Sequence, residues 1–185
     1  KRLLVYGSSI THGGNASVPS GTYAFRLARK LGYDLINLGC AGSCQMDEAM
    51  ASYIGSRDDW DMALFELGIN VIETWDGDRL YGKALAFLAA VLEARPYQQV
   101  FVTDMYYNRY DFEGDKRAAR FRGAIQRCAA VLSGQYGGRL HYINGLEAMD
   151  TPQGLSSDGL HPSDLGHGMI AERLAGYMAE KKEVN

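Results

Sequence analysis

Ser9, His161 and Asp158 are of the types that could act as a nucleophile, its base and the group that orients the base. A serine hydroxyl is a poor nucleophile near neutral pH until an adjacent base takes its proton, and the base works best when a third group fixes its tautomer. Attack on a carbonyl also builds negative charge on the carbonyl oxygen, which needs donors already aimed at it. The backbone N–H groups of Ser9 and Gly42 and the side-chain amide of Asn70 could supply three. Gly42 suits the task because a residue without Cβ lets the main chain approach a substrate closely. Such a set would carry acyl transfer. Taken singly, each member has a plainer reading: a serine in a glycine-rich turn is more often a turn or capping residue, and Asp158 and His161 could be a polar loop before a helix capped by Ser163.

The elements that must position these residues are visible as short apolar runs. Leu3–Tyr6, Leu35–Leu38, Met62–Leu67, Val100–Met105 and Leu140–Ile143 have strand length and are bounded by Gly, Asp or Asn. Helical periodicity covers Tyr23–Leu31, Met46–Ile54, Leu80–Ala94 before Pro96, Lys116–Leu132 and about Ser163–Met178. This alternation predicts an α/β fold of three layers, α/β/α, with a flavodoxin-like five-stranded parallel sheet in the order 2-1-3-4-5. Ligands of open parallel sheets bind outside the carboxyl ends of the strands. Gly7-Ser8-Ser9, Gly39-Cys40-Ala41-Gly42 and Gly68-Ile69-Asn70 follow strands one, two and three, and Asp158-Gly159-Leu160-His161 precedes the last helix. All four segments are expected at that one edge.

The chain of 185 residues is 46% hydrophobic, enough for one sizeable core and one domain spanning 1–185. A net charge of -3 without a basic stripe argues against nucleic acid, and no apolar run approaches the roughly 20 residues that span a bilayer. A small-molecule or carbohydrate ester partner is expected, and a soluble protein, cytoplasmic rather than secreted. The three cysteines show no zinc-type spacing, so no metal, no cofactor and no disulfide framework are expected. Lys1-Arg2 leads at once into a strand-like run, which suggests a domain cut from a longer chain or a chain trimmed of disordered residues.

Four fragments together resemble the SGNH, or GDSL, hydrolases. Gly7-Ser8-Ser9-Ile10-Thr11 is similar to the first block, Asn37-Leu38-Gly39-Cys40-Ala41-Gly42 to the second, Glu66-Leu67-Gly68-Ile69-Asn70 to the third and Asp158-Gly159-Leu160-His161-Pro162 to the last. The resemblance implies a Ser9 nucleophile, an Asp158–His161 pair, and an oxyanion hole of Ser9, Gly42 and Asn70. It departs at Ser8, where the first block has aspartate, and at Val71, where an acid often follows the asparagine. Members similar in the run Tyr-Gly-Ser-Ser-Ile-Thr-His-Gly often carry an upstream β-rich domain.

The implied activity is serine-dependent hydrolysis of a carboxylic ester, with an acyltransferase using the same site as the nearest alternative. A flavodoxin-like phosphate loop for FMN is a distant one, because no helical periodicity starts directly after Ser9 and because Asn70, Asp158 and His161 would be left idle. Tyr106 to Phe112 is expected to overhang the same edge, with Tyr107 and Tyr110 offering flat faces with polar rims to a hydroxylated ligand. His12 and Trp75 are further candidates for substrate contact. His141 reads as structural, and His161 and His167, six apart on or near one helix, as a poor metal pair.

Overall fold

In the computed structural model, residues 1–182 are described. The strands β1 (Arg2–Gly7), β2 (Asp34–Gly39), β3 (Met62–Glu66), β4 (Gln99–Thr103) and β5 (Leu140–Ile143) form one parallel sheet in the order β2-β1-β3-β4-β5. The helices in chain order are α1 (Ser9–His12), α2 (Tyr23–Leu31), α3 (Glu48–Ser56), α4 (Gly77–Ala94), α5 (Arg109–Phe112), α6 (Lys116–Gln135), α7 (Gly145–Ala148) and α8 (Asp164–Lys182). Right-handed crossovers put α2 and α8 together on one face and α3, α4 and α6 on the other.

The central strands are apolar because both of their faces are covered: Leu3, Leu4 and Val5 of β1 and Ala63, Leu64 and Phe65 of β3 are all fully buried. Each of the Leu, Val and Phe side chains contributes about 1.5–3 kcal/mol relative to exposure. The edge strand β2 is only partly covered. On the α4 face Tyr6 stacks on Phe87 at 5.1 Å between ring centroids, and its hydroxyl accepts from Met46 N, which ties the chain beyond β2 back to β1.

Element ends differ from the expectation where local chemistry overrides periodicity. The third helix starts at Glu48 rather than Met46, because Met46 has φ 55° and Asp47 sits in extended conformation. The fourth starts earlier, at Gly77, because the Asp76 carboxylate accepts from Arg79 N at 2.8 Å. One expectation is corrected: a helix does begin directly after the first loop. It lasts a single turn, from Ser9 to His12, and Gly13 at φ 113° ends it, too short for a 3.6-residue pattern to register. Among the described residues, no helix is long and apolar enough to cross a membrane.

Candidate active site

The site is built at the carboxyl edge of the sheet. Ser8 caps α1: its Oγ accepts from Ile10 N at 3.1 Å, and the residue is fully buried. Ser9, the first residue of the turn, projects outward, and its Oγ lies 2.7 Å from His161 Nε2. His161 Nδ1 lies 2.7 Å from Asp158 Oδ2, so with the Nδ1 proton donated to the carboxylate, Nε2 is left as the acceptor for the Ser9 hydroxyl.

Asp158 is held more firmly than a three-residue motif suggests. Its Oδ1 accepts from Leu160 N and His161 N, each at 2.9 Å, and lies 3.0 Å from Ser156 Oγ. Burial raises its pKa, but these donors and His161 outweigh that and hold the carboxyl well below the usual carboxylate range. Oδ2 also accepts from Asn15 Nδ2 at 2.9 Å.

Asn15 (φ 64°) ends a Gly13-Gly14-Asn15 segment on which the base rests. A Cβ on Gly14 would stand 2.7 Å from His161 Cδ2, so glycine is required there by the imidazole itself. His167 supports the segment from below. Its Nδ1 accepts from Tyr23 N at 3.1 Å, its Nε2 donates to Gly14 O at 3.1 Å, and burial lowers its pKa, consistent with a neutral ring.

The loop carrying Gly42 is tied at both ends. Cys40 N donates to Gly7 O at 2.8 Å, and Cys44 N donates to Asn70 Oδ1 at 3.0 Å. A backbone N–H can meet only the oxygen of the amide, so Asn70 Nδ2 is directed away from Cys44 as a donor. Gly42 has φ 71°, and a Cβ there would meet nothing within 4 Å, so the left-handed turn rather than crowding demands glycine. Replacing Asn70 by Ala is expected to lower kcat by on the order of 10²–10³ with little change in KM, measured by steady-state ester hydrolysis; a change confined to KM would make it a substrate-binding residue instead.

The profile of the GDSL-like lipase/acylhydrolase family matches residues 1–178. The chain belongs to that family. A triad and an oxyanion hole are typical of GDSL hydrolases, and Ser9, His161 and Asp158 are arranged as such a triad. No curated protein sequence matches the chain significantly. Among solved structures, a Bacteroides ovatus protein described as a GDSL-like lipase is 24% identical with TM-score 0.85, covering 100% of this chain and 54% of its own. A salicylyl-acyltransferase from a tetracycline biosynthetic pathway is 23% identical with TM-score 0.85, covering 99% of this chain and 55% of its own. A carbohydrate acetylesterase from Sinorhizobium meliloti is 15% identical with TM-score 0.72, covering 98% of this chain and 99% of that one. The chain thus spans about half the length of the first two.

The substrate-contact candidates of this GDSL-family chain fall into two groups. His12 is exposed at the end of α1, Trp75 is half-buried under the Arg79 guanidinium at 4.5 Å, and Tyr107 is half-buried. Tyr110 is different: it is 3% exposed, its hydroxyl donates to Glu73, and Arg109 and Arg117 cover its ring. Its ring has no free face to present, which corrects the expectation for this residue. Tyr106 is buried as well, edge-on to Tyr23. The segment instead braces the loop that carries Asp158 and His161. Arg109 N donates to Gly159 O at 2.6 Å, Asn108 and Asp111 box the start of α5, and Asp111 clamps Arg122 of α6 through two bonds of 2.6 and 2.8 Å.

Reading the sequence missed Asn15, Gly14, His167 and Glu66, all of which touch the triad residues or their immediate supports. The doublet Gly13-Gly14 was a signal of close packing, while Glu66 stood inside a recognised fragment without being assigned a task. Cys44 and Cys128 are buried and Cys40 is half-buried, all as free thiols. Among the described residues, no three His, Cys, Asp or Glu side chains cluster as metal ligands.

Proposed function

We propose that this chain is a serine esterase that cleaves a short acyl group, acetyl foremost, from a polar or carbohydrate scaffold through an acyl-enzyme on Ser9. The observation that carries the reading is the relay from Ser9 Oγ to His161 Nε2 and from His161 Nδ1 to Asp158 Oδ2, with 2.7 Å at each link. His161 takes the hydroxyl proton as Oγ attacks the ester carbonyl carbon. The carbonyl electron pair moves onto oxygen, where Ser9 N–H, Gly42 N–H and the Asn70 amide receive it. Collapse breaks the bond to the alcohol, which leaves with the proton from the imidazolium. Water, deprotonated by His161, then attacks the acyl-enzyme and releases the acid. Labelling with a fluorophosphonate and mass mapping of the modified peptide tests this: the adduct is expected on Ser9, and an adduct on Ser8 or none would defeat the reading.

The acyl preference is inferred from residue type. A long acyl chain would need a continuous apolar channel or lid, whereas the half-buried Tyr107 and Trp75 and the exposed His12 carry small apolar faces with polar edges. The carbohydrate acetylesterase among the structural relatives supports the same class. With p-nitrophenyl acetate, octanoate and palmitate, kcat/KM is expected to fall as the chain lengthens, and acetylated sugars are expected to be cleaved. Rising rates with chain length would sink the preference. The acyltransferase in the same fold supports a second reading, in which an alcohol replaces water in the second step. Added sugar alcohols would then divert acetate into a new ester instead of leaving free acetate.

A further inference from the structure

Directly beneath the nucleophile lies a buried carboxyl for which the acyl-transfer steps have no use. Glu66, the last residue of β3, is 1% exposed, and among the described residues no Lys or Arg pairs with it. Its Oε2 accepts from Ser8 N at 2.8 Å, Ser8 Oγ at 2.7 Å and Thr11 Oγ1 at 3.1 Å, while its buried Oε1 has no hydrogen-bond partner among the described residues. The chain makes room for it: a Cβ on Gly7 would stand 2.6 Å from that same Oε2. Three donors on one oxygen suit an ionised carboxylate, since hydrogen bonds to a charged acceptor are roughly twice as strong as neutral ones. Burying such a charge is costly unless donors satisfy it.

Both donor residues belong to the nucleophile's own turn. Ser8, held by Glu66, in turn caps α1 through Ile10 N, and Thr11, the third residue of α1, bonds on to the Tyr23 hydroxyl. Ser9 is fastened between these two points. We propose, resting on the esterase reading, that Glu66 is a positioning residue whose ionised carboxylate clamps Ser8 and Thr11 and so aims Ser9 at His161, and that protonating it releases the clamp.

A proton on Oε2 would displace donors, and one on Oε1 would be a buried O–H without an acceptor. The titratable groups that face the carboxyl are His161 from the catalytic loop, Tyr23 from α2, Tyr106 from the segment after β4 and Cys44 from the loop after β2. Burial pushes both tyrosines and the thiol upward, so they stay neutral. Burial also raises Glu66, to about 7, against the lowering by Ser8, Thr11 and His161. Glu66 therefore needs to lose a proton before the clamp closes, and an ionised Glu66 also favours the imidazolium that forms during attack.

The test uses p-nitrophenyl acetate kinetics from about pH 5 to about pH 9, with the rate of fluorophosphonate labelling of Ser9 followed in parallel. In the wild type, log(kcat/KM) is expected to rise at low pH with a limiting slope about one unit steeper than in Glu66→Gln. Glu66→Gln is the neutral isostere of the protonated carboxyl and should, like Glu66→Ala, lose about 10²-fold in kcat and in labelling on the high-pH plateau with KM unchanged. A folded Glu66→Ala that labels at the wild-type rate, or a wild-type slope equal to that of Glu66→Gln, would overturn the proposal. Should Glu66→Ala fail to fold, Thr11→Val decides instead. Removing one donor should move the low-pH limb to higher pH in the wild type but not in Glu66→Gln, and no movement in either would be fatal. Failure of the esterase reading looks different, because then wild-type Ser9 takes no label at any pH.

Discussion

Ser9→Ala is expected to lower kcat for ester cleavage by on the order of 10⁶ while leaving the melting temperature near that of the wild type, because the change removes the attacking atom and little packing. Ser8→Ala is the informative partner. Ser8 is fully buried, with its Oγ spent on Glu66 and on the cap of α1, so it has no access to an ester carbonyl. Its loss should cost about 1 kcal/mol of stability through the missing cap and reduce turnover far less than Ser9→Ala. Mass mapping of the fluorophosphonate adduct together with thermal melts separates the two serines. Equal loss of activity from both, with Ser8→Ala still folded, would place the nucleophile wrongly.

The second large effect is at the base and its carboxylate. His161→Ala should be nearly as damaging as Ser9→Ala, since no other imidazole lies on Ser9 Oγ. Asp158→Asn should lower kcat by about 10⁴ with KM little changed, and the structure gives the reason for the direction. Leu160 N and His161 N both donate to Oδ1, so in the amide variant that position must remain the oxygen. The NH₂ is thereby forced into the place of Oδ2, opposite His161 Nδ1, where it donates and leaves Nδ1 as the acceptor. The imidazole proton then sits on Nε2, facing Ser9, and the ring can no longer accept the hydroxyl proton. Asn15 Nδ2 would at the same time meet a donor where it now meets an acceptor. Steady-state kinetics with p-nitrophenyl acetate reads the result, and full activity in Asp158→Asn would reduce the aspartate to a loop residue.

Much of this molecule is written in local pattern. The apolar runs of β1 and β3, the amphipathic stretches of α2 and α6 and the capping residue Ser163 before α8 mark their elements within a few residues of where they lie. Because parallel strands must be joined by right-handed crossovers, the order of those elements implied the sheet order, and the sheet order implied the edge at which Ser9, Gly42, Asn70 and Asp158–His161 would collect.

What the pattern could not express is any property that depends on two distant segments at once. Ser9 and His161 are 152 positions apart, Asn15 and Asp158 are 143, and Ser8 and Glu66 are 58. A hydrogen bond across such a gap leaves no periodicity behind, so the place of Asn15 on the Asp158 carboxylate and of Glu66 under Ser8 and Thr11 emerged only when the chain had folded. Burial is decided in the same way. Tyr107 and Tyr110 belong to one polar, aromatic segment and read alike, yet Arg109, Arg117 and Glu73 close over Tyr110 and leave Tyr107 partly open. Residue type and spacing determined which groups could do the chemistry and on which edge. Only the tertiary structure decided which of them face a substrate and which hold the others in place, because exposure and long-range hydrogen bonding are properties of the packed neighbours and not of the residue itself.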